Sequence, residues 1–138
     1  FAPRGCTIRF ARLDVRTGGG FHACVANPQF GECWTVAEYT ELVRPERIVF
    51  LWRIADENGN SVSPQSQGHD PAWPAETTVS VTFAERDGGT LMTLRQNVSE
   101  ALARQTGAHP SWIQMLDLLG EALGDAKGTS RGAHAEQR

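Results

Sequence analysis

His22 and Cys24 share one face of any extended segment that holds them, because side chains alternate along a strand, and Cys33 follows shortly after. Imidazole and thiolate are ligands that zinc favours, so these three residues raise the question of a metal site. The spacing argues against one. There is no Cys-x-x-Cys pair and no second histidine at ligand spacing, and the thiols read as structural. His69 and Asp70 are adjacent and could act as a base and an acid, but neighbours in a proline-rich loop usually face solvent. No Ser-His-Asp grouping, phosphate-binding glycine loop or carboxylate pair is recognisable. We therefore expect no catalytic residue, no metal and no cofactor. Gln96 is different. It runs in phase with Met92, Leu94 and Val98, so its amide points to the apolar side of its segment. A buried amide without partners costs about 1–3 kcal/mol, so Gln96 must bond to backbone or a water, or else anchor a ligand in an apolar pocket. Tyr39 could place a hydroxyl on the same side. Glu41 shares its parity, however, and an unpaired inward carboxylate would be costly.

The elements that would position these groups follow from periodicity. Thr7 to Val15 alternates apolar and polar residues as a half-buried strand does, and Thr17-Gly18-Gly19-Gly20 turns the chain. Further strands are expected over Phe21 to Ala26, Trp34 to Val43, Arg47 to Ala55, Thr77 to Arg86 and Thr90 to Val98. Arg44-Pro45-Glu46, Asp56 to Asn60 and Glu85-Arg86-Asp87 with its glycines read as solvated turns, and Ser61 to Pro74 as a loop. Ser99 suits the N-cap of a short helix ending near Thr106, stopped by Gly107. Pro110 opens a longer helix whose Trp112, Met115, Leu116, Leu119 and Leu123 form one apolar stripe. The order is six antiparallel strands and then a long amphipathic helix, which is an α+β chain. Residues 125–138 are polar and small and are expected to form a flexible tail.

The bulk composition limits the possibilities. A chain of 138 residues fits one domain, here residues 1–124. A net charge of −3 speaks against a general nucleic-acid binder, and no apolar run approaches the roughly 20 residues of a membrane span. Three cysteines in no tight pattern suggest free thiols and a cytoplasmic location. The sequence starts at Phe1 with no initiator Met and no signal peptide, so a processed chain or a fragment is expected.

Several stretches are familiar in this order. Arg44-Pro45-Glu46-Arg47-Ile48-Val49-Phe50-Leu51-Trp52-Arg53 resembles the "P-x-R-hydrophobic-V-F-x-W" strand of the SRPBCC superfamily, the START and Bet v 1-like helix-grip fold. "VSVTF", the acidic residues and glycines after it, "TLMTLRQ" and "SWIQMLDLLGEAL" are similar to the branch related to the activator of the Hsp-90 chaperone ATPase. Phe1-Ala2-Pro3-Arg4-Gly5 resembles the W-x-P-x-G that precedes the second strand there. Members of that branch begin with another strand and a pair of short helices that have no counterpart here, which implies a truncated domain or a neighbour that supplies the edge.

The resemblance implies a curved antiparallel sheet wrapped on the long C-terminal helix, with a cavity between them for a small hydrophobic or amphipathic molecule. It places Tyr39, Phe50, Trp52, Val79, Val81, Phe83, Met92, Leu94, Gln96, Trp112, Met115, Leu116 and Leu119 on the cavity lining. It implies binding without catalysis, and a place in the stress response. Two alternatives come with it: a protein-interaction module that stimulates a chaperone ATPase, and a cyclase- or hydrolase-like enzyme using the same cavity. The small molecule is the expected partner. A chaperone, or a second copy pairing through an exposed sheet edge, would serve the interaction reading.

Overall fold

Alternating β-branched and aromatic residues make this chain a sheet, and each turn between strands carries its own local signal. In the computed structural model, residues 2–29, 31–127 and 133–137 are described; Phe1, with its part of the N-terminal resemblance, lies outside them. The strands are β1 (Thr7–Leu13), β2 (Gly20–Asn27), β3 (Gly31–Val43), β4 (Arg47–Ala55), β5 (Glu76–Arg86) and β6 (Gly89–Gln96). They pair antiparallel in sequential order and curl into a half-barrel. β5 and β6 are joined by Asp87 and Gly88, both at positive φ, the two-residue hairpin geometry whose twist matches the strands. Asp56 shapes the β4 exit: its Oδ1 accepts the backbone N–H groups of Asn58 and Asn60, each at 2.9 Å.

Two helices follow, α1 (Glu100–Thr106) and α2 (Ala108–Lys127). Ser99 caps α1 with its side chain accepting the N–H of Leu102 at 3.1 Å, and Gly107 ends it in the left-handed conformation. We expect Ser99→Ala to cost about 1 kcal/mol, read as a lower urea midpoint with unchanged slope. α2 starts two residues before Pro110, which sits in the first turn where its missing N–H breaks no helical bond. At 20 residues α2 spans about 30 Å. It runs past the expected end at Leu123, which is exposed rather than part of the buried stripe. A short β7 (Ala133–Gln137) lies parallel to β6, so part of the stretch read as a tail has a strand path; residues 128–132 lie outside the described ones.

The core forms where α2 meets the inner face of the sheet. Val79, Val81 and Leu94 from the sheet pack with Trp112 and Met115 from the helix. Ile48, Phe50, Trp52, Phe83 and Met92 close around them. Strand register sets this face in rows: Tyr39, Phe50, Val79 and Gln96 are successive partners across four strands, and Phe21, Ala37, Trp52 and Thr77 form the next row.

Candidate functional site: the inner face and its end cleft

The inner rows bring the expected residues together, and they do so by contact with one another. Aromatic rings form a chain from the sheet edge to the helix. Phe10 meets Phe21 edge-on at 6.0 Å, Phe21 meets Phe50 at 5.7 Å, Phe50 meets Trp52 at 6.2 Å and Trp52 meets Trp112 at 5.5 Å. Such offset contacts stabilise beyond the area they bury. Tyr39 joins through Phe21 and Phe50, and burial pushes its phenol up from the ordinary tyrosine range. Leu116 is buried and Leu119 half-buried on the same side of α2.

Tyr39 sits inside without bringing Glu41 with it. The β3–β4 register shifts between Tyr39 and Glu41, so one extra residue turns Glu41 to the outer face opposite Val49. There Glu41 pairs with Arg47 at 3.2 Å. A bulge thus removes the buried carboxylate that simple alternation demands.

Gln96 is 1% exposed, and its amide is used at both ends. Its Oε1 accepts the indole N–H of Trp112 at 2.9 Å, and its Nε2 donates to Thr77 Oγ1 at 3.0 Å. The partners are side chains of the helix and the neighbouring strand, not backbone. Trp52, in the row beside it, is unlike Trp112. Its indole N–H is the buried side-chain polar atom left without a hydrogen-bond partner among the described residues. Such a donor costs about 1–3 kcal/mol and calls for an explanation.

One open space lies at an end of the inner face. A cleft of about 630 Å³ is bounded by the Pro3–Cys6 segment, the β2–β3 turn, the loop at Gln67–His69 and the start of α2. Val25, Cys33 and Ile54 form its floor, while Ser111 and Gln114 look across from the helix. Ile54 stands two residues beyond Trp52 on the same strand face, so this floor continues the aromatic inner face. Arg4 straps the rim to α2: its backbone N–H donates to Gln114 Oε1 at 3.2 Å and its guanidinium meets Glu121 at 3.0 Å. A second hollow of about 610 Å³ lies on the outer face among Thr78, Ser80, Thr82 and Thr93. Of the residues assigned to a cavity lining, Gln96 borders this outer hollow and the others border neither.

The remaining chemical candidates separate. His22 and Cys24 lie on the outer face, where the His22 ring stacks on Trp34 at 4.7 Å and its Nε2 meets the carbonyl of Asp56 at 3.0 Å. Cys33 is on the opposite face, so the three do not converge, and no group of three or more metal-ligating residues occurs among the described residues. Asp70 is committed elsewhere, accepting from the Ala72 N–H in its own loop and from Gln105 Nε2 on α1. His69 turns instead to Cys33, with 3.9 Å between Nε2 and Sγ. Sequence reading missed that pair, as it missed Arg4, Val25, Ile54, Ser111 and Gln114. The alternation of β2, β3 and β4 carries a signal for Val25, Cys33 and Ile54; nothing local signals which loop or helix residues meet them.

A curled antiparallel sheet gripping a long terminal helix, with an apolar face between, defines a helix-grip domain. Residues 6–124 match the model of the family described as activator of Hsp90 ATPase homolog 1-like protein, and the chain belongs to that family. Among solved structures it is similar to a Mycobacterium smegmatis protein, with 27% identity and a TM-score of 0.50 over 64% of this chain and 48% of that one. It is also similar to a Staphylococcus epidermidis protein at 23% identity and a TM-score of 0.51, over 65% of this chain and 49% of the other. A Chromobacterium violaceum protein matches at 24% identity and a TM-score of 0.49, over 64% and 52%. The matched region thus covers about half the length of each of these proteins. No curated protein matches. No described helix is long and apolar enough to cross a membrane.

Proposed function

We propose that this domain holds a small hydrophobic or amphipathic molecule between the inner sheet face and α2, admitted through the end cleft and not chemically turned over. The observation that carries the reading is the unpartnered N–H of Trp52, set in an aromatic face where the buried amide of Gln96 and indole of Trp112 each have a partner. A ligand lying over Ile54 with a carbonyl or ether oxygen directed inward would satisfy it. Apolar burial at about 25 cal/mol per Å² supplies the affinity, and the indole sets the orientation. The probe is an environment-sensitive dye, anilinonaphthalene sulfonate, displaced by the alkyl ketone octanone. Octanone is expected to displace the dye. Trp52→Phe keeps an aromatic ring and removes the donor, and should weaken octanone binding about three- to tenfold, the worth of one hydrogen bond. No displacement, or equal affinity in the variant, would remove the reading.

A protein-partner reading has an observation of its own. β1 is the edge of the sheet, and Phe10, Leu13 and Val15 beside it are 46%, 52% and 55% exposed. Among the described residues β1 pairs on one side only, and an edge with apolar neighbours suits strand addition by another chain, either a chaperone of the kind the family's description names or a second copy. Stimulation of the Hsp90 ATPase by the purified domain, or concentration-dependent dimerisation, would support it; neither occurring would end it.

A further inference from the structure

Two residues that the sequence offers as unrelated candidates meet in the end cleft. Cys33 stands on the inner face of β3 opposite Val25, and His69 hangs from the loop after β4. That loop is fixed. Ser63 caps a short 3₁₀ turn at Pro64–Gln67, Pro64 is buried, and the N–H of His69 donates to the Pro64 carbonyl at 3.1 Å. The imidazole Nε2 is thereby set 3.9 Å from the Cys33 sulfur, within reach of a thiol hydrogen bond, and both side chains are half-buried at the cleft. The other two thiols differ. Cys6 borders the same cleft, but its sulfur accepts the Asn27 amide at 3.4 Å. Cys24 is fully buried on the far face.

We propose that Cys33 and His69 form a covalent capture site for apolar α,β-unsaturated carbonyl compounds. The inference rests on the cleft of the proposed reading and names a ligand class for it. In the capture step His69 Nε2 takes the thiol proton while the sulfur adds to the β carbon of the alkene. The displaced π electrons pass to the carbonyl oxygen as an enolate, toward which the Ser111 hydroxyl and the Gln114 amide at the cleft wall offer donors. The imidazolium then returns the proton to the α carbon. One C–S and one C–H bond form, one S–H bond and one C=C π bond are consumed, and no oxidant or reductant is needed. The alkyl part lies on Val25 and Ile54.

The protonation states set what the step requires of His69. Burial first, with Cys24 adding to it, pushes the Cys33 thiol above the ordinary cysteine range, and burial holds His69 below the ordinary imidazole range. The pair therefore rests as neutral thiol and neutral imidazole, and because both shifts oppose a resting thiolate–imidazolium pair, the proton must leave sulfur as the C–S bond forms. A thiol so placed has little thiolate of its own, so its reactivity depends on His69.

The test uses the full chain with octenone, an alkyl enone, and octanone, its saturated counterpart. Time-resolved intact mass and peptide mapping should show octenone adding to Cys33 first, more slowly to Cys6 and not to Cys24. His69→Gln should slow addition at Cys33 at least about tenfold and leave Cys6 unchanged, with His69→Asn as a second variant and circular dichroism verifying the fold. Equal rates at Cys33 and Cys6, or an unaltered Cys33 rate in both histidine variants, would overturn the proposal. If octanone displaces the dye while octenone fails to label Cys33, the capture site falls and the binding reading stands. If octanone also fails, both fall.

Discussion

Replacing Gln96 with leucine is expected to destabilise the domain by about 3 kcal/mol, although leucine is more apolar and fills a similar volume. The cost comes from what is left behind. Trp112 would keep an indole N–H buried between sheet and helix with nothing to receive it, and Thr77 would lose the amide that donates to its hydroxyl oxygen. Each stranded buried group costs about 1–3 kcal/mol, and the threonine hydroxyl can rotate to recover part of that loss whereas the indole cannot. The prediction therefore has a second half. In the Gln96→Leu background, Trp112→Phe should cost about 1–2 kcal/mol less than it does alone, because the donor it removes is already unpaired. Urea unfolding of the four proteins in the cycle decides it. Additive losses would mean that the helix and sheet are held by shape alone and that this bond is incidental.

Sequence showed the rows of this sheet clearly and the contacts between them poorly. Alternation put Val79, Val81, Leu94 and Gln96 on one face because a strand has a fixed period of two, and the structure places them there. The same rule fails at Tyr39 and Glu41, where a bulge inserts a residue that no local composition announces; only the cost of a buried carboxylate hinted that parity must break. The amide of Gln96 could be seen to need partners, but not that one would be Trp112, since that bond depends on how deep α2 seats against β6. The orphaned donor of Trp52 is legible only in three dimensions. So is the Cys33–His69 pair, which joins a strand to a loop held by its own cap and by Pro64. Residues assigned to a cavity from the family pattern are the ones that knit sheet to helix, while a cleft sits at the end of the inner face, where the Pro3–Cys6 segment and loops form its walls.

The aromatic inner face depends on one close approach at the start of β2, at the end of the sheet away from the cleft. Gly20→Ala is expected to cost about 3 kcal/mol or more, because the added Cβ would lie 1.9 Å from the carbonyl oxygen of Ala37 and 2.9 Å from its carbon. Backbone cannot swing aside as a side chain can. The strands must part, and the local bonds lie in the way: Asp14 N–H to the Gly20 carbonyl at 2.8 Å and Tyr39 N–H to the Gly19 carbonyl at 2.9 Å. Gly18, two residues earlier, is the control. It has positive φ and nothing within 4 Å of a new Cβ, so Gly18→Ala should cost only the strain of a left-handed alanine, about 1 kcal/mol. The difference has a functional reading, since Tyr39 is tied to this corner by backbone and to Phe21 and Phe50 by its ring. Gly20→Ala should therefore weaken dye binding to the inner face at temperatures where the variant is still folded, whereas Gly18→Ala should leave it unchanged. Equal stability losses in the two variants would show that β2 can back away from β3 without cost, and the aromatic face would then not depend on this corner.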